Sequence, residues 1–188
     1  LLDIAVDTVL VNNEGGTYQA VEHLILQGHQ RIAIITADEN KTTGRERLEG
    51  YRKALQDYQI PINDAWIFSG SPKKEMGREA GRKILKLNPA PTAIFCGNNL
   101  ITMGIISTLL QARCRIPEDY AIISFDEMEW YTMATPTITA VQQPVYEIGK
   151  TATELLLKRI QGLDMPIQEV RLETQLIVRE SSNFRRSV

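Results

Sequence analysis

Cysteine and histidine are scarce here, with two of each in 188 residues. Cys96 and Cys114 form no CxxC pair, and no histidine stands at ligand spacing from either. That excludes a disulfide framework or a structural zinc site, and both residues read as reduced thiols in a cytosolic protein. His29 follows Gly28 and reads as a turn residue bonded to backbone, so neither it nor His23 reads as a catalytic base. Long apolar runs are also missing. Stretches such as Ile32-Ala33-Ile34-Ile35 and Ala121-Ile122-Ile123 are far too short to span a bilayer, and no secretion-signal pattern opens the chain. No membrane role is therefore expected. Nor is there an excess of positive charge: 21 basic residues face 23 acidic ones, for a net charge of −2. A domain that grips phosphates carries a basic face, and only Arg179, Arg185 and Arg186 cluster, as a solvated end. GxGxxG, GxxxxGK[ST] and GxSxG are all absent, so dinucleotide, P-loop and nucleophile-elbow chemistry lack support and no cofactor is expected.

What the chain does have is a repeated alternation of short apolar strands with longer amphipathic helices. Val9-Leu10-Val11 reads as a strand. Asn13 then caps a helix with Tyr18, Val21, Leu24 and Ile25 inward, ended by Gly28. Arg31 to Thr36 is a strand buried on both faces, and Arg45 to Tyr58 is a helix with Leu48, Tyr51 and Leu55 on one stripe. Ile60-Pro61-Ile62 must be extended. The cycle repeats with strands at Trp66 to Phe68, Thr92 to Cys96 and Ala121 to Phe125, and helices at Glu75 to Leu87 and Leu100 to Ala112. After a short extended Ile138 to Val141 comes a helix over Val145 to Ile160, with Ile148, Ala152, Leu155, Leu156 and Ile160 along it. Val170 to Val178 is extended again. Such β-α repeats specify an α/β fold, an open parallel sheet with helices on both faces and right-handed crossovers.

Ligands of open α/β sheets lie beyond the carboxyl ends of the strands. The residues following those ends are Ala37 to Arg47, Ser69 to Lys74, Gly97-Asn98-Asn99, and Asp126-Glu127 with Trp130 and Tyr131. One edge thus collects guanidinium, amide, carboxylate and aromatic groups, the chemistry of a hydroxyl-rich ligand. Each has an ordinary alternative: Asn99 as a helix cap, Asn98 as a turn residue, Asp126 as a turn cap, Arg47 as a surface arginine.

Ala20-Val21-Glu22-His23-Leu24 with Gly28-His29-Gln30-Arg31-Ile32-Ala33, Arg47-Leu48-Glu49-Gly50-Tyr51, Pro91-Thr92-Ala93-Ile94-Phe95, Ile116 to Asp126, Thr139 to Pro144, and Val178-Arg179-Glu180-Ser181-Ser182 form a set of runs. That set resembles the LacI/GalR repressors. Together they run in unbroken order from about Val9 to Ser182. The resemblance implies a periplasmic-binding-protein-like effector domain of two lobes joined by three strand crossovers. Residues 12–141 and 172–180 would form the C-terminal lobe, 1–11 and 142–171 a remnant of the N-terminal lobe, and 181–188 a tail. It implies ligand contacts at Arg47, Asn98 and Asp126, with Gln143 at the hinge; the aromatic residues after Phe125, Trp130 or Tyr131, would offer the stacking surface. One departure is Asn98-Asn99 where the family usually has Asn-Asp. The function implied is sensing of a small effector, a sugar above all, with a purine as competitor, by a cytoplasmic homodimer. It would reach operator DNA only through an N-terminal domain not in this chain. Helix Leu100 to Ala112 and the loop 128–134 would carry the subunit contact. The alternatives are a periplasmic-type sugar-binding protein or receptor ligand domain, and an α/β enzyme acting on a sugar.

Overall fold

The computed structural model describes residues 6–162 and 165–183; Arg185 and Arg186, and with them most of the expected tail, lie outside these. Six strands form the main sheet: β2 (Ile32–Ala37), β3 (Ile67–Gly70), β4 (Ala93–Cys96), β5 (Ala121–Phe125), β6 (Thr139–Gln142) and β8 (Gln175–Ile177). Their order is β3-β2-β4-β5-β6-β8, parallel except for β8, which runs antiparallel to β6. Strands β4 and β5 are buried at every residue, and β2 at all but its last, as continuous apolar runs require in a sheet covered on both faces.

The side-chain alternation of the strands divides the core. Ile32, Ile34, Phe95, Ile123 and Phe125 face α1 (Asn13–Leu26) and α2 (Thr42–Asp57). Ala33, Ile35, Ile94, Cys96 and Ile122 face α3 (Lys74–Ile84) and α4 (Asn99–Gln111). A second sheet holds only β1 (Thr8–Val11) and β7 (Glu169–Leu172), paired in parallel. Against β1 lies α5 (Val145–Ile160), anchored where Arg159 grips Asp7 through two 2.8 Å bonds. That fork, with the Gln168 backbone N–H, holds the Asp7 carboxyl down at about 2.

The structure corrects several expectations. Asn12, not Asn13, caps α1 by accepting from Gly15 N at 2.8 Å, and Asn98, not Asn99, caps α4 by accepting from Ile101 N at 2.8 Å. In both Asn-Asn pairs the second residue is already helical. The first strand-like part of Trp66 to Phe68 is a helical turn, Asp64–Trp66, with the strand beginning at Ile67. Val170 to Val178 is not one strand: the chain leaves the small sheet after Leu172 and enters the large one at Gln175. His29 does bond backbone at its turn, its N–H donating to Leu24 O at 3.0 Å, and its ring also meets the Thr92 hydroxyl at 3.0 Å. Arg179 is no solvated end, because it pairs with Glu127 at 2.8 Å and donates to Ile138 O. Ser181 and Ser182 behind it are fully buried, bonded to Ile122 O and to the Thr139 hydroxyl. Along α5 only Leu155 is buried, while Leu156, Leu157 and Ile160 stand exposed.

Candidate functional site

Arg47 is the centre of the carboxyl edge. It lies on the same helical stripe as Leu48, Tyr51, Ala54 and Leu55, so α2 carries it inward and leaves it only 8% exposed. Its guanidinium stacks over the Phe125 ring, 3.7 Å from the centroid. Nε donates to Asn13 Oδ1 at 3.0 Å, and one terminal nitrogen donates to Gly97 O. Burial pulls the group down to about 10, against the opposing pull of the Asp126 and Glu46 carboxylates. A buried cation held this way, with donor hydrogens to spare, is built to meet an acceptor.

Asp126 ends β5 in the left-handed region, at φ 73°, where its N–H bonds Val141 O. Aspartate tolerates this conformation better than most residues, and strained backbone gathers at functional sites. One carboxylate oxygen accepts from the Gln143 amide, which follows β6. The other makes no hydrogen bond among the described residues. Asn98 is more committed: its Oδ1 caps α4 and its Nδ2 donates to Pro72 O at 3.1 Å. One N–H and one lone pair remain.

Arg47, Asp126 and Gln143 are therefore brought together. Trp130 is not among them, since it packs with Tyr131, Ile138 and Ala140 and is set edge-on to Tyr131 at 4.4 Å. Tyr131, the other aromatic expected to stack on a ligand, is fully buried and shares a 2.6 Å hydrogen bond with Ser124. The ring in contact with Arg47 is Phe125, itself fully buried.

Sequence reasoning missed Asn13, Glu46 and Arg171. Asn13 donates to Glu46 Oε2 at 2.9 Å, and Arg171 donates to Glu46 Oε1 at 2.9 Å. A signal existed for Glu46. It stands one turn before Gly50, whose bare backbone lies against Glu14 O of α1, so Glu46 falls on the α1 side of α2. Thr36, near the end of β2, keeps a buried hydroxyl with no hydrogen-bond partner among the described residues. A recess of about 510 Å³ lies away from this edge, between β1 and α5, lined by Val6, Val9, Leu155, Leu156 and Ile167.

A family model for the periplasmic binding protein-like domain matches residues 21–182. The HTH-type transcriptional repressor PurR of Photobacterium profundum is 34% identical over 175 residues, covering 93% of this chain and 52% of the relative. Among solved structures, the complex of the transcriptional regulator CelR with cellobiose superposes with a TM-score of 0.90 at 33% identity. The match covers 96% of this chain and 56% of that one. A LacI family transcriptional regulator from Enterococcus faecium with bound ribose gives 0.85 at 34% identity, covering 93% and 65%. The chain thus spans about half the length of the curated relatives it matches.

The main sheet, parallel but for β8, carries a polar, partly buried constellation at its carboxyl edge and passes to the smaller sheet at three points. The chain belongs to the periplasmic binding protein-like family. Its relatives there are repressors and regulators of the LacI type.

Proposed function

We propose that this chain is the effector-sensing part of a cytoplasmic LacI-type transcriptional regulator, and not an enzyme. It binds a small, neutral, hydroxyl-rich molecule, a mono- or disaccharide, at the carboxyl edge of the main sheet. The observation that carries this reading is the buried Arg47 guanidinium facing the half-committed Asp126 carboxylate. Opposite charges make a nearly neutral pocket, and a fork of donors beside an acceptor suits vicinal hydroxyls. Asn98 adds a further amide, with one N–H and one lone pair uncommitted. The cellobiose and ribose named with two similar regulators support a sugar.

In this reading residues 12–141 and 172–180 form one lobe, and residues 1–11 and 142–171 belong to the other. The recess against α5, apolar apart from Asp7 and Arg159, is then the seat of the remainder of that second lobe in the longer regulator. Ligand between the lobes favours one lobe angle, a population shift that sets the spacing of DNA-binding heads lying outside these residues. The test is calorimetric titration of the full-length regulator against sugars, sugar phosphates and nucleobases. Asp126→Ala is expected to weaken the true effector by about 2 kcal/mol, roughly 30-fold, through lost bonds to a charged acceptor. An unchanged affinity would mean the pocket lies elsewhere.

The reading includes assembly as a homodimer, which the apolar surface of α4 supports. Its inner residues Ile101, Ile105 and Leu109 are fully buried, yet Leu100, Met103 and Leu110 are exposed, and Met133 stands out at 71%. Apolar surface in excess of one stripe marks a contact. Light scattering at high micromolar concentration should give twice the chain mass, and Leu110→Glu should return the monomer with its circular dichroism intact. A wild-type monomer would end this part of the reading.

A further inference from the structure

Arg47 is held from behind as well as from the ligand side. Its Nε donates to Asn13 Oδ1 at 3.0 Å, Asn13 Nδ2 donates to Glu46 Oε2 at 2.9 Å, and Glu46 Oε1 accepts from Arg171 at 2.9 Å. The order of donors is forced. An arginine only donates and a carboxylate only accepts, so the Asn13 amide has one stable orientation, oxygen toward Arg47 and nitrogen toward Glu46. Flipping it would set an NH₂ against a cation and an oxygen against an anion. Asn13, Glu46 and Arg47 are 3%, 8% and 8% exposed, so the two inner links are shielded from water, while Arg171, its side chain 45% exposed and also paired with Glu169, reaches Glu46 from the surface.

The four residues come from different parts of the fold. Asn13 begins α1, Glu46 and Arg47 lie on α2, and Arg171 lies on β7 of the two-stranded sheet. A second, separate tie joins the same parts: Asn12 N donates to Leu172 O at 2.8 Å, and the Asn12 amide donates to Glu173 at 3.0 Å. The end of β7 is thus fastened to the start of α1 twice over. Only the Asn13 route continues to Arg47.

We infer that Arg171, which does not touch the candidate ligand site, is a positioning residue for Arg47, acting through Glu46 and Asn13. The relay makes the direction of the Arg47 guanidinium depend on where β7 stands relative to the main sheet. Since β7 leads into the large sheet at β8, a change of angle between the two sheets reaches the ligand contact through the half-exposed Arg171–Glu46 pair and the two buried hydrogen bonds behind it. By linkage, a ligand that holds Arg47 also biases the placement of β7. This rests on the reading of Arg47 as an effector contact.

Arginine Nε–H exchange tests the relay without any ligand. In the chain with ¹⁵N-labelled arginine, Arg47→Lys assigns the Arg47 signal by its loss. Arg171→Gln should shift that signal and raise its exchange rate tenfold or more. Arg171→Lys should restore much of the protection, and Arg45→Gln, on the exposed side of the same helix, should leave it unchanged. Core amides of Ile34 and Phe95 serve as the internal reference, because general destabilisation raises their exchange by the same factor. Faster exchange at Arg47 with the reference amides unmoved supports the relay. An Arg47 signal unaltered by Arg171→Gln, or one that changes only in step with Ile34 and Phe95, overturns it. A sugar panel that finds no effector dependent on Arg47 overturns the ligand reading alone, and an uncoupled Arg47 overturns the relay alone.

Discussion

Arg47→Met is expected to abolish effector binding while leaving the stability of the domain within about 1 kcal/mol of wild type, because opposing effects of similar size meet there. On one side, the substitution removes a cation that burial already disfavours: its fall from 12.5 to about 10 corresponds to roughly 3 kcal/mol against the charged form. Methionine fills much of the same volume against Phe125. On the other side, Asn13 Oδ1 and Gly97 O lose their donor, at about 1–3 kcal/mol for each acceptor left dry. The two terms nearly cancel. Binding has no such compensation, since the fork of donors is gone and an apolar thioether faces the ligand hydroxyls. A loss of 100-fold or more, about 3 kcal/mol, should follow. Urea denaturation and calorimetry on the same preparation separate the two. If Arg47→Met loses stability by several kcal/mol, the arginine is a structural strut and its place in the ligand site falls.

The ordering of the central elements was legible in the sequence because β2, β4 and β5 are short apolar runs and α2 and α3 each bury one stripe. Ala121 to Phe125 and Val145 to Ile160 were readable to the residue. Cap positions were not, and the reason is physical. Asn12-Asn13 and Asn98-Asn99 offer two equivalent side chains, and the choice lies in backbone angles that tertiary packing decides: Asn98 is extended at φ −165° while Asn99 is already in α4. The helix over Val145 to Ile160 carries an apolar face that composition marks as core, yet Leu156 and Ile160 are 59% and 71% exposed. A hydrophobic pattern states that a face seeks a partner, not that the partner lies in the same stretch of chain.

The candidate site divides along the same line. Arg47, Asn98 and Asp126 could be picked because strand ends are where α/β sheets place chemistry, and that rule needs only local sequence, whereas Gln143 came from the family resemblance alone. Arg171 stands 125 residues from Glu46, and no periodicity links them. Trp130 and Tyr131 look alike as stacking surfaces in sequence. The 3₁₀ turn Glu129–Tyr131 sends the tyrosine under the sheet, where Ser124 takes its hydroxyl, and packs the tryptophan against it rather than beside Arg47.

Glycine to alanine substitutions at two helical positions should move stability in opposite directions, and the larger effect belongs to Gly104 on α4. In an exposed helix interior this change stabilises by about 0.5–1 kcal/mol, through helix propensity and a stiffer unfolded chain. Gly149 on α5 meets that condition: a Cβ there has nothing within 4 Å, so Gly149→Ala should gain that amount. At Gly104 the same methyl would stand 2.2 Å from Lys74 O and 2.9 Å from Gly77 Cα. These are backbone atoms of α3, so no rotamer change relieves the overlap and the helices must separate. Gly77 faces the mirror problem, with Ile101 O at 2.3 Å. Separation loosens Ala80, Ile84, Ile101 and Ile105, the residues that seal this face of the sheet. Overpacking of this kind costs about 3 kcal/mol, which outweighs the propensity gain and leaves a net loss of about 2 kcal/mol. The loss should reach the site as well, because α4 starts at Asn98 and Asn98 is tied to Pro72 ahead of α3. Urea midpoints of the two variants therefore diverge, Gly149→Ala above wild type and Gly104→Ala well below it. A Gly104→Ala midpoint at or above wild type would show that α3 and α4 have room that their backbone separation denies.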